Sequence, residues 1–230
     1  MKLSNINKVS IVIMALLAIV PFQGFVYDLF MMKIFCFAIL AASLNLLLGF
    51  AGLLSFGHAA FFGTGAYITA HVMKEWGVTP EFGLFCGVLC ATVLGYIFGS
   101  LAIRRQGIYF AMITLALAQM VFFFCLQAPF TGGEDGIQAV PRGKLFGLID
   151  LEDNFNMYLF VLTIFLLGFL LIWRVVHSPF GQILKAIREH PDRATSLGYD
   201  TDTFKLLAFV ISGALAGTSG ATKSLVFQLA

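Results

Sequence analysis

The 230-residue chain is 60% apolar and only 11% charged, with 26 phenylalanines and a net charge of +2. Soluble domains carry about a quarter charged residues, so this sequence could not clothe itself in a polar surface. So small a charge excess also argues against a nucleic-acid partner, and the composition points to an all-α integral membrane protein, a polytopic helical bundle.

Seven apolar runs set the expected spans: 9–27, 34–50, 56–73, 82–103, 108–128, 155–176, and a last run from 204 that continues to the end at 230. Backbone groups in hydrocarbon must be paired internally, so these runs are expected as helices, and no barrel-like alternation competes. Lys2 and Lys8 ahead of the first run resemble the start of a signal peptide. The chain then continues Pro21-Phe22-Gln23-Gly24 with no small-x-small cleavage site, so the run is expected to be kept as a span.

The second and third runs meet in a glycine-rich stretch, GFAGLLSFGHAAFFGTGAY at 49–67. Small residues let membrane helices approach closely, which is one reading. The other is a broken or re-entrant segment whose backbone lines a solute path. His58 inside it is read first as a hydrogen-bonded packing residue, with a place on the path as the alternative. Cys36, Cys86, Cys90 and Cys125 all sit in apolar runs and are read as small packing residues.

Basic residues give the orientation. Lys2, Lys8, Arg104, Arg105, Arg174, Lys185, Arg188, Arg193 and Lys205 fall on one side, against Lys33, Lys74, Arg142 and Lys144 on the other. The positive-inside rule places the first set, and with it the N-terminus, in the cytoplasm. Charges within spans are scarce, with Lys223 the exception, expected to snorkel or pair. A carrier driven by protons or sodium usually shows a membrane carboxylate, and an intramembrane hydrolase wants paired carboxylates or a metal cluster. Neither pattern is evident. No G-x-x-x-x-G-K-[ST] phosphate loop occurs either, so the chain is not expected to be an enzyme, and ATP chemistry would belong to a partner.

The longest polar interruption, 178–207, lies on the cytoplasmic side. Ser178-Pro179 stops the preceding span, since proline cannot continue a helix. From 181 to 190, Ile183, Leu184 and Ile187 form one stripe and Gln182, Lys185, Arg188 and Glu189 the other, an amphipathic helix. Pro191 restarts the chain, Asp192 suits the first turn, and Leu197-Gly198 ends a helix of under two turns. Such a helix would not persist alone and needs a partner.

These residues resemble the permease subunit, M type, of bacterial ABC importers for branched-chain amino acids. The resemblance rests on LNLLLGFAGLLSFGHAAFFGTGAY at 44–67, RRQGIYFAMITLALAQM at 104–120, TGGEDGI at 131–137, and the loop 178–220 ending KLLAFVISGALAGTSG. It implies one permease domain over 1–230 with a cytoplasmic coupling loop at 178–203, docking through Glu189, Pro191, Asp192, Arg193, Ala194, Leu197 and Gly198. Ala194, Leu197 and Gly198 fit the family's loose pattern; Arg193, Thr195 and Ser196 depart from it. Partners implied are an H-type permease, two ATP-binding subunits that carry ATP and Mg, a periplasmic binding protein that could touch 131–153, and the bilayer. No cofactor or metal is expected in this chain itself. A path lined by Asn45, Ser55, Gly57, His58, Tyr67, Thr114 and Gln119 is expected, in the bacterial inner membrane. Relatives run on through further spans beyond Ala230, so the resemblance also implies a C-terminal truncation. Urea or short-amide permeases and a non-transporting membrane scaffold are the rival readings.

Overall fold

The computed structural model describes residues 27–105, 107–145, 147 and 149–230. The predicted first span falls almost wholly outside them. Six long helices run alternately up and down: α1 (Asp28–Asn45), α2 (His58–Trp76), α3 (Pro80–Ala102), α4 (Ile108–Gln127), α5 (Asn154–Val176) and, after two short helices, α8 (Thr201–Phe227). The short ones are α6 (Pro179–Glu189) and α7 (Pro191–Ser196). Among the described residues five helices are long and apolar enough to cross a membrane: Asp28–Ala51, Pro80–Ala102, Ile108–Gln127, Asn154–Val176 and Thr201–Phe227. Five of the predicted runs correspond to these helices and the run at 56–73 to α2, which is more polar and is enclosed by its neighbours; the run at 9–27 lies outside the described residues except for Tyr27.

Local signals start and stop these helices. Pro80 occupies the first position of α3 behind Thr79, and Glu81 sits in its first turn. The Asp153 carboxylate accepts from Phe155 N–H at 3.3 Å at the start of α5. Asp200 caps α8, accepting from the Thr203 N–H and, at 2.6 Å, from its hydroxyl. Helix α1 widens into a π turn, Leu46–Ala51, and stops at Gly52, whose φ of 71° suits a residue without a Cβ.

Packing centres on α8, which lies among α1, α2 and α3 and buries Ser212, Gly213, Ala216, Gly217, Ser219, Gly220 and Ala221. Close approach is the reason for so many small residues. A Cβ at Gly65 would overlap the Gly217 carbonyl, and one at Gly220 the Phe62 carbonyl. Lipid is as apolar as leucine, so such interlocking and interhelical hydrogen bonds hold membrane helices together. Ser212 donates to Ser43 O at 2.6 Å and Ser219 to Cys36 O at 2.5 Å, each joining α8 to α1. Lys223, the predicted exception, lies with its ammonium 5.5 Å from the Phe62 ring.

The end of the bundle opposite α6 and α7 is closed by the connection between α4 and α5. It carries two 3-10 turns and one short antiparallel pair, β1 (Lys144–Leu145) with β2 (Ile149–Asp150). Gly147, at φ 72°, lies between the two strands, and this two-residue pair is a small addition to a chain that is otherwise mostly helical. Ile137 and Ala230 exchange backbone hydrogen bonds, and Arg142 donates to Val226 O at 2.9 Å, so this connection also covers the last turn of α8.

Candidate functional site

The predicted docking segment forms much as its punctuation requires. Ser178 caps α6 through Gly181 N–H at 3.4 Å, with Pro179 in the first turn. Leu184 and Ile187 are buried, Ile183 is half-buried, and Gln182, Lys185, Arg188 and Glu189 are exposed. The short α7 ends with Tyr199 N–H bonding Ala194 O at 3.2 Å and Gly198 N–H bonding Thr195 O at 2.9 Å, with Gly198 at φ 89°. Glu189, Asp192, Arg193 and Gly198 are exposed and Leu197 is 72% exposed, so these predicted residues share an outward surface. A hollow of about 270 Å³ there is lined by His190, Pro191, Asp192 and Arg193. Ala194 is only 3% exposed. It seats α7 on the bundle, so a bulky residue at 194 would displace the helix rather than roughen its outer face.

The glycine-rich segment is broken, but it does not turn back. After Gly52 the chain is non-helical to Gly57, and α2 then runs on to the far end, where Lys74 donates to Gln138 O at 3.0 Å. Helix α2 starts inside the bundle. His58 Nε2 meets Ser212 Oγ at 2.6 Å, and Ser212 stands about 16 Å along α8 from Thr201 at roughly 1.5 Å per residue. Irregular backbone at such depth must be satisfied by protein. Phe56 N–H bonds Thr114 Oγ1 at 3.3 Å, and Gly57 N–H bonds Ser55 Oγ at 3.2 Å. A Cβ at Gly57 would stand 3.1 Å from the Thr114 carbonyl, so the joint lies tight against α4.

Two cavities follow α4 on either side of this joint. One, about 620 Å³, is lined by Gly52, Leu53, Leu54, Phe56, Gly107, Ile108, Phe110, Ala111, Met112 and Leu115. The other, about 320 Å³, is lined by Phe56, Ala59, Ala60, Gly63, Tyr67, Leu115, Ala118, Gln119, Val121, Phe122, Cys125 and Leu126. Phe56 and Leu115 border both. A third hollow, about 450 Å³, opens at the hairpin end beside His71, Lys74, Glu75, Phe130 and Ile137.

The predicted path residues are therefore distributed unevenly. Tyr67 and Gln119 line the second cavity, and Ser55, Gly57 and Thr114 build the joint beside it. His58 lies on another face of α2, 4% exposed, edge-on to Phe61 and Phe209. Asn45 is exposed on α1, with its Oδ1 lying over Gly49. Leu53, Phe56 and Leu115 were not among the expected residues. Being apolar in an apolar chain, they carry no compositional signal.

The sequence profile described as branched-chain amino acid transport system, permease component, matches residues 26–230. The high-affinity branched-chain amino acid transport system permease protein LivM of Escherichia coli is 31% identical over 207 residues, covering 80% of this chain and 49% of its own length. The probable branched-chain amino acid transport permease protein LivM of Methanocaldococcus jannaschii is 25% identical over 81% of this chain and 64% of its own. The probable LivH permease of the same organism is 23% identical over 72% of this chain and 55% of its own. No solved structure matches significantly. The chain spans about half the length of the Escherichia coli relative. With a profile match over nearly the whole chain, this multi-pass membrane protein belongs to the permease component family of branched-chain amino acid transport systems.

Proposed function

We propose that this chain is the M-type permease subunit of an ATP-driven importer that moves branched-chain amino acids into the cytoplasm by alternating access. It works in the bacterial inner membrane with its N-terminus, α6 and α7 on the cytoplasmic side. An H-type permease completes the path, one of two ATP-binding subunits docks on the surface formed by Glu189, Asp192, Arg193 and Leu197, and a periplasmic binding protein delivers substrate to the hairpin end. ATP and Mg act on the ATP-binding subunits.

The observation that carries this reading is the pair of cavities along α4 that share Phe56 and Leu115 in their walls. Alternating access needs compartments on opposite sides of a barrier that can open to one face at a time. Here the barrier residue Phe56 belongs to a non-helical joint, so it can shift without unwinding a helix. The walls are mainly apolar with few hydrogen-bonding groups, which suits an aliphatic side chain. The sequence contains no G-x-x-x-x-G-K-[ST] phosphate loop, so in this reading the energy comes from the partner subunits.

Reconstitution into vesicles with the H-type permease, the ATP-binding subunits and the binding protein tests the reading. ATP-dependent leucine uptake that unlabelled isoleucine and valine suppress, and that urea does not, is expected. Uptake suppressed by urea or short amides would replace the substrate assignment. A complex that assembles yet moves no solute would favour a scaffold.

A further inference from the structure

Arg188 belongs to the docking helix but reaches away from it. Its Nη1 donates to the carbonyl of Gly49, in the π turn that ends α1. Its stem covers Gly52, where a Cβ would stand 2.9 Å from Arg188 Cγ. One turn back on α6, Lys185 places its ammonium 5.3 Å from the Phe50 ring. Next to Lys185, Leu184 enters the same buried cluster as Leu47, Ala51 and Leu53. The C-terminal end of α1 is thus gripped by α6 through one charge-assisted hydrogen bond, one cation–π contact and a shared core.

What α6 grips is the root of the joint. Gly52, Leu53, Leu54 and Phe56 follow directly and line the larger cavity, and Phe56 borders the smaller one. From Arg188 to the barrier the chain is therefore continuous and short, and it bypasses the long helices. We propose that Arg188 is the strut that carries motion of the docked α6–α7 segment to the Phe56–Leu115 barrier, a positioning residue for coupling that is separate from the docking surface. The proposal rests on the permease reading above.

The complete transporter, reconstituted with its partners, tests it through Arg188→Ala, Arg188→Lys and Gly52→Ala, each scored for co-purification of the ATP-binding subunits, ATP hydrolysis and leucine uptake. Arg188→Ala is expected to keep co-purification and hydrolysis within about two-fold while uptake per ATP falls about ten-fold, the scale of a lost charge-assisted hydrogen bond. Arg188→Lys, which retains a long stem and a donor, should recover part of the loss. Gly52→Ala presses on the strut from the other side and should uncouple in the same sense without touching the docking surface. Hydrolysis and uptake falling in parallel, loss of co-purification, or an unchanged uptake ratio would each overturn the strut. A readout independent of substrate is thiol labelling of Leu54→Cys. ATP should change its rate in the otherwise unaltered transporter and not in the Arg188→Ala background. If leucine is not transported but that labelling pattern holds, the substrate assignment fails and the strut stands. If ATP changes the labelling equally in both backgrounds, the strut fails.

Discussion

Removing a single hydroxyl in the middle of α8 should be among the more costly small changes in this bundle. Ser212 donates its one proton to Ser43 O at 2.6 Å, so its oxygen must accept from His58 Nε2–H, also at 2.6 Å. All three residues are buried, and His58 Nδ1 has no partner among the described residues. Ser212→Ala would leave the imidazole with no hydrogen bond in a site that water does not reach. An unsatisfied buried donor costs about 1–3 kcal/mol, whereas interhelical hydrogen bonds in membranes average about 0.6 and reach about 1.7 kcal/mol. An expected loss of about 1–2 kcal/mol follows, roughly a five- to thirty-fold change in the folded ratio. His58→Phe removes the orphaned donor, so the double variant should be less destabilised than the sum of the single ones, with a coupling of about 1 kcal/mol. Unfolding of the four forms in mixed micelles against denaturing detergent measures this directly. A coupling below about 0.3 kcal/mol would refute the view that this chain of hydrogen bonds anchors the buried start of α2.

Other expectations follow from the same packing. Gly220→Val forces a side chain into the Phe62 backbone and should destabilise by about 1–3 kcal/mol or more, read as loss of detergent-resistant folded protein. Arg142→Met removes the guanidinium that caps α8 at Val226 O and bonds Asn154 Oδ1 at 3.3 Å, and should loosen the hairpin end, seen as faster proteolysis within 131–153. The Thr203 hydroxyl and N–H hold the Asp200 carboxyl below its ordinary value. Its capping contribution is therefore present at neutral pH and fades as pH falls through that depressed value, and Asp200→Ala should flatten this part of an acid-unfolding profile. Replacing Leu197 and Arg193 together by Glu and Ala should weaken co-purification with the ATP-binding subunits and leave the fold intact, since both are exposed.

Local chemistry explains what was legible beforehand. Apolar runs marked the long helices because bilayer thickness sets their length. Ser178-Pro179, Pro191 and Gly198 bracketed α6 and α7 because each acts within a turn of its own position. The glycine cluster correctly signalled a break, but only tertiary structure shows that α2 begins at depth and continues outward. The His58–Ser212 bond joins residues 154 positions apart and the Arg188–Gly49 bond residues 139 apart, and no pattern along the chain encodes either. The burial of Ala194 and the place of Phe56 beside both cavities were equally hidden, because tertiary packing, not residue type, decides them.

The claim that two cavities alternate about Phe56 and Leu115 can be tested with two thiols on one helix. Met112 lines the larger cavity and Gln119 the smaller, so Met112→Cys and Gln119→Cys, made with Cys125→Ser to clear the smaller cavity, report each compartment. In the assembled transporter, membrane-impermeant reagents should label the two positions from opposite faces, and ATP should raise one rate while lowering the other. Rates that rise or fall together, or that ignore ATP, would contradict alternating access along this groove.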